Sequence, residues 1–225
     1  MREIKSWKKV ACAVAVLLVV ALGSLAIWQR DNVKVLFAAL TSDLEQLSDG
    51  MERVREENQA TLAGQGVSVP GLTRGQVEAL LNGERTEASV LHALDLEQYT
   101  GGDAASELDV VNQCVAELYS YETALYGQLG GMKVWAEGEW KSHPKSERTA
   151  SLKHSIIVSG LSQCYQLEVE ADNRVLAILD QYRAKMSAIG GDTAKIDQLW
   201  NVYCSEKAST KAYYINLINQ EEEKP

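Results

Sequence analysis

The chain is short of proline, histidine and phenylalanine, and each shortage excludes something. Among 225 residues the only prolines are Pro70, Pro144 and Pro225. Proline lacks an N–H and clashes with the preceding turn, so helix interiors reject it. Long proline-free stretches rich in Ala, Leu, Glu, Gln and Lys therefore favour helices, and no β-alternation of useful length interrupts them. The three histidines, His92, His143 and His154, are too few and too scattered for a metal site or a catalytic dyad. Phe37 is the sole phenylalanine, so the aromatic content is tyrosine and tryptophan. Such rings carry a polar handle and suit thin bundles whose ring edges reach water.

Motifs that carry chemistry are missing too. Ser142-His143-Pro144-Lys145 has the SxxK spacing of a serine acylase, but so does Ser6-Trp7-Lys8-Lys9, and the companion motifs are absent. Acidic clusters at Glu52, Glu56 and Glu57, and at Glu168 and Glu170, lack the order of a calcium loop and read as solvated faces. The paired Glu or Glu-x-x-His sets of bundle enzymes are absent as well. The expectation is no catalytic residue, no cofactor and no metal.

Positive charge is scarce outside one place. The chain has 22 basic and 31 acidic residues, net −9. Four of the basic residues (Arg2, Lys5, Lys8, Lys9) and one acidic residue (Glu3) lie in the first nine, so the remainder carries −12. A field of that sign repels phosphate backbones and anionic lipid. Nucleic acid is not an expected partner.

What the sequence does have is one long apolar run. Val10 to Trp28 spans nineteen residues with Ser24 as its only polar side chain of note. As a helix it covers ~28 Å, the hydrocarbon thickness of a bilayer. Trp7 and Trp28 fall ~31 Å apart, one at each interface. Cations crowd its N-terminal side, which places residues 1–9 in the cytoplasm and the rest outside, with 10–28 as a transmembrane signal-anchor. Ser24-Leu25-Ala26 also fits a cleavable signal peptide, although the run exceeds an ordinary h-region. Either way the remainder is exported. None of the eight asparagines lies in an Asn-x-Ser/Thr sequon, which points to a bacterial envelope.

Beyond the run, Val33, Leu36, Leu40, Leu44, Leu47, Met51 and Val54 recur by threes and fours. This near-heptad stripe predicts a membrane-proximal helix over 29–62, packed in a bundle or in a homotypic coiled coil. Residues 63–102 read as a loop with two short helices, the first opened by a Thr73–Gln76 capping box and the second over about 84–99. This least regular region is a candidate lid or contact surface, or a plain connector.

Residues 103–220 carry the strongest pattern and predict the bundle core. A helix capped by Asp103 runs toward Trp140 with Leu108, Val111, Val115, Leu118, Leu125, Leu129 and Met132 on one side, and Gly130-Gly131 is a candidate kink or break. After a turn at Ser142-His143-Pro144, a second helix reaches about Ile189, with Ile157, Leu161, Cys164, Ala171, Val175, Ile178, Tyr182 and Ile189 spaced by threes and fours on the inward side. Gly190-Gly191 ends it, Asp192 caps the last helix, and residues 221–225 fray as an acidic tail. Short turns between long helices predict an all-α fold: a transmembrane helix followed by an extracytoplasmic antiparallel three- or four-helix bundle with coiled-coil-like packing.

Two candidate features remain. Counting helical rise from the turns near 144 and 191 places Cys114 and Cys204 within ~5 Å of one height and Cys164 ~15 Å away. The expectation is a Cys114–Cys204 disulfide with Cys164 a buried thiol, against three reduced core cysteines. The aromatic run Tyr119, Tyr121, Tyr126, Trp135 and Trp140 is a candidate interaction surface, with core filling as the plainer reading. Together these features describe a non-enzymatic, membrane-anchored interaction or scaffold protein of the cell envelope. Its partner would be another envelope or membrane protein, or a second copy. The alternative is a small-ligand sensor ectodomain working through a partner.

Overall fold

The computed structural model describes residues 42–223 except 101 and 103, with side chains as far as Asn216. The expected anchor at 10–28 and the first part of the expected stripe (Val33, Leu36, Leu40) lie outside the described residues. Among the described residues the chain is all-helical, with seven α-helices and no strand. No helix among them is long and apolar enough to cross a membrane. They are α1 (Leu44–Gly64), α2 (Arg74–Leu81), α3 (Glu87–Leu94), α4 (Glu97–Thr100), α5 (Glu107–Ser142), α6 (Ala150–Ala188) and α7 (Ala194–Glu223).

The chain divides into two compact units: one holds the residues up to Glu57 together with those from Tyr203 onward, the other holds Asn58–Val202. In the first, Leu47 of α1 packs with Ala212 of α7, flanked by Ala208, Tyr213 and Ile215. The Asn216 side-chain amide donates to the Ser42 carbonyl at 3.0 Å, so a buried polar group near the C-terminal end is satisfied by the backbone before α1. Leu47 and Met51 are buried and Leu44 and Val54 half-buried, so this part of the predicted stripe does face inward.

The second unit is built on the α5–α6 hairpin. Ser106, three residues later than the expected Asp103, caps α5: its hydroxyl accepts from the Asp109 N–H while the Asp109 carboxylate accepts from Ser106. That reciprocal pair satisfies two of the orphan donors at a helix start. The helix then runs unbroken through Gly130-Gly131. The expected break is absent because intrahelical hydrogen bonding tolerates glycine, and the space is needed: a Cβ on Gly130 would collide with the Leu80 carbonyl and lie 3.2 Å from the Leu81 Cα. Gly130 marks where the end of α2 crosses α5 at backbone contact. Gly131 meets nothing.

One side of α5 packs on α6 and another on α2, α3 and α4. On the α6 side the Cys164 thiol donates to the Met132 thioether at 3.7 Å and Arg174 reaches Glu117 at 3.3 Å. On the other, the Asn112 side chain accepts from the Ser68 N–H and Lys133 donates to the Asn82 side chain at 2.6 Å. The core therefore takes Val110, Val111, Cys114 and Val115 from α5, Ile178, Leu179 and Met186 from α6, and Ile196 and Leu199 from the start of α7. Each such side chain contributes ~1.5–3 kcal/mol on burial.

Residues 63–100 are part of this core. Leu72, Val77, Leu80, Val90, Leu94 and Leu96 are all buried. The predicted capping box forms at Thr73 and Gln76. The predicted second helix is instead two: Asp95, at φ 49, breaks it between α3 and α4. The Tyr99 hydroxyl then donates to the Ser68 carbonyl at 3.0 Å, tying the stretch before α2 to α4.

Candidate functional site

The aromatic run on α5 does not form one surface. Tyr119 and Tyr126 sit two turns apart on one face. Tyr126 is buried, and a Cβ on Gly71 would lie 3.1 Å from the Tyr119 hydroxyl, so that face meets the loop before α2. Tyr121 points elsewhere: burial raises its phenol pKa, with Glu170, Arg174 and Asp172 of α6 nearby. Trp135 is exposed and Trp140 half-buried, nearer the hairpin turn.

Cys114, Cys164 and Cys204 are thiols. No disulfide is present among the described residues; Cys114 belongs to the second unit and Cys204 to the first. Cys114 is fully buried, and desolvation pushes its thiol pKa far up. Cys164, expected in the core, is half-buried against Met132; its pKa is raised by burial and then by Glu168.

A polar cluster lies between α5 and α6. Burial first, and then the Glu117 carboxylate, which accepts its hydroxyl proton, push the Tyr182 phenol far up. Arg174 pairs with the same carboxylate, and the Lys185 ammonium sits 4.1 Å from the Tyr182 ring centre. Tyr182 is the buried member and Arg174 the exposed one, so the cluster runs from the helix interface out to its rim. A second cluster closes the far end: Glu107 on α5 pairs with Lys195 of α7 and accepts from the Asp192 N–H at 3.0 Å. Both clusters join elements.

The feature that packing leaves over is on α6. Val158, Leu161, Tyr165, Val169 and Leu176 are each between 37% and 49% exposed. Their steps of three, four, four and seven place them on one line along the helix, ~27 Å long. The sequence pattern points Leu161 inward with Ile157 and Cys164. The structure instead buries Ile156 and Leu167 and turns Leu161 outward. The cause is legible: the first half of α6 is apolar on two sides, and a period of 3.6 cannot say which side faces the core. From His154 to Asn173 the helix holds no Lys or Arg. The stripe is flanked by Ser162, Gln166 and Asn173 on one side and by Glu168 and Asp172 on the other.

Among the described residues no cluster of His, Cys, Asp or Glu is arranged to hold a metal ion. Comparison with known proteins found no matching family model, curated protein or solved structure.

Proposed function

We propose that this chain is a non-enzymatic interaction protein of the cell envelope. A transmembrane helix at 10–28 anchors it, and its exported helical domain, packed as an antiparallel bundle, docks onto protein through the outer face of α6. The α6 stripe carries this reading. Scattered apolar residues are ordinary on protein surfaces, but a contiguous line of them on one helix marks a contact site. Its composition favours a protein partner over lipid, because interfacial helices carry several Lys and Arg along their polar face, whereas Arg174 is the one basic residue within the span of the stripe and it pairs with Glu117. The sensor reading fares less well, since the polar groups between α5 and α6 are engaged with one another.

The test has two parts, both on cells expressing a C-terminally tagged chain. Membrane fractionation with external protease should give a membrane-bound protein whose tag is cut from outside. A protected tag would contradict the topology. Mild crosslinking should then trap complexes that Val169→Lys removes. A chain that crosslinks to nothing, or a pattern indifferent to that substitution, would contradict docking.

A further inference from the structure

The two compact units bury different kinds of side chain. Among the described residues of the unit Asn58–Val202 the buried side chains are hydrophobic with two exceptions, Gln113 and Thr123. Both exceptions are satisfied: Gln113 donates to the Gly102 carbonyl at 2.7 Å and Thr123 to the Tyr119 carbonyl at 2.8 Å. The unit that joins the first part of α1 to the last part of α7 is otherwise. There Leu47, Met51 and Ala212 are buried beside three polar side chains, Ser48, Arg55 and Asn216. Two antiparallel helix segments hold it, with Asn216 donating to the Ser42 carbonyl and Leu47 packed on Ala212. Ordering any segment costs conformational entropy, and apolar burial is the main term that offsets it. Here that term is small.

Arg55 weakens the unit further. Only 8% of the residue is exposed, and its Nη1 is sealed away from water with no acceptor among the described residues. One turn earlier the Glu52 Oε2 is in the same condition, so these two atoms do not bond each other. A buried cation without a counter-charge opposes the state that buries it, and opening the segment returns it to water. Within the other unit, by contrast, α1 is tied to α7: Asn58 donates to the Val202 carbonyl at 3.4 Å and Gln65 to the Gln198 side chain.

We propose that residues 44–57 of α1 and 203–216 of α7 open together while Asn58–Val202 stays folded, and that the buried Arg55 keeps this unit weak. Such sub-global openings are cooperative and are drawn from the parts of a protein with the least apolar burial. The use of the opening rests on the function proposed above, with 10–28 as the anchor and α6 as the docking face. Residues 44–57 span ~21 Å as a helix and up to ~50 Å extended. Opening therefore lengthens the link between anchor and docking face by up to ~29 Å and leaves α6 intact. The α1–α7 unit is then an extensible tether, through which one face meets partners at different distances from the membrane.

Hydrogen exchange of the full-length chain in detergent micelles, read by mass spectrometry in low urea, tests the opening. Amides of 44–57 and 203–216 should exchange at one common rate, at least ~100-fold faster than those of 110–116 and 175–186. Arg55→Met keeps a long unbranched side chain and removes the charge. It should slow exchange of the first set by ~10-fold or more and leave the second unchanged. A single rate for both sets would mean one cooperative domain and overturn the proposal. So would rates graded outward along each helix, the pattern of fraying ends. An Arg55→Met variant whose first set exchanges as before, or faster, would show that Arg55 is not the weak point and would overturn it too. Exchange reads the opening whether or not 10–28 anchors, whereas membrane fractionation reads the anchor. A chain that opens but is not anchored would overturn the tether and leave the opening standing.

Discussion

At the scale of single residues, the adjacent glycines of α5 make opposite predictions. A methyl on Gly130 has nowhere to go, because the carbonyl of Leu80 and the Cα of Leu81 are backbone and cannot yield without moving α2. Gly130→Ala should destabilise by ~1–3 kcal/mol, the usual cost of overpacking. Gly131 faces open space in the middle of a helix, so Gly131→Ala should stabilise by ~0.5–1 kcal/mol, through the entropy that glycine loses on ordering. Urea unfolding of the two variants measures both, and equal effects would mean that the α2–α5 crossing is not as close as described. The Glu107–Lys195 pair predicts a pH dependence. Lys195 first, and then the Asp192 N–H, hold the Glu107 carboxyl below its ordinary 4.5, while Glu107 raises the Lys195 ammonium above its ordinary 10.5. A lowered carboxyl favours the folded state above pH 4.5 and loses that favour as pH falls through the folded value. A raised ammonium favours it below pH 10.5 and loses that favour as pH rises through the folded value. The stability gap between wild type and Glu107→Gln should therefore be level between those limits and shrink outside them. A gap that peaks in acid would contradict the pairing.

At the scale of elements, caps and breakers are legible where they are local. Thr73 and Gln76 announce α2 by a reciprocal hydrogen-bond pattern that needs only four residues, and the structure forms it. The sequence places the start of α5 three residues early, because Asp103 and Ser106 are both good caps. Ser106 wins through the Asp109 three residues on, which closes a second capping box. Ser106→Ala should cost ~1 kcal/mol, read as a lower melting temperature; a neutral result would shift the cap elsewhere. What periodicity does not supply is which stripe of a two-sided helix faces the core. It points Leu161 inward and leaves Tyr165 unassigned, though both lie on the exposed line. Nor does it show that residues 63–100, irregular in pattern, bury seven apolar side chains, Val69 among them, instead of standing apart as a lid. That assignment depends on tertiary packing, which no short window contains. The aromatic run fails as a single surface for a related reason: its members are neighbours in sequence but not on the helix.

At the scale of the whole molecule, the proposed function joins an apolar segment at 10–28, read as an anchor, to an acidic helical domain and an outward apolar line on α6. Thiol accessibility offers a check on the domain. Cys114 is sealed in the core, whereas Cys164 is half-buried at the hairpin, so native alkylation should label Cys164 and spare Cys114 until unfolding. Rapid labelling of Cys114 would mean that the α5–α6 core is open. The central claim is that the outer face of α6 is a contact surface in the cell, and photo-crosslinking tests it most directly. A photoreactive residue is placed singly at Tyr165, Val169, Gln181 and Ser159, and intact cells are irradiated. The expected result is adducts from Tyr165 and Val169, few or none from the other two, and loss of the Tyr165 adduct when Val169→Lys is added. No adduct along the stripe, or equal adducts at all four positions, would contradict it.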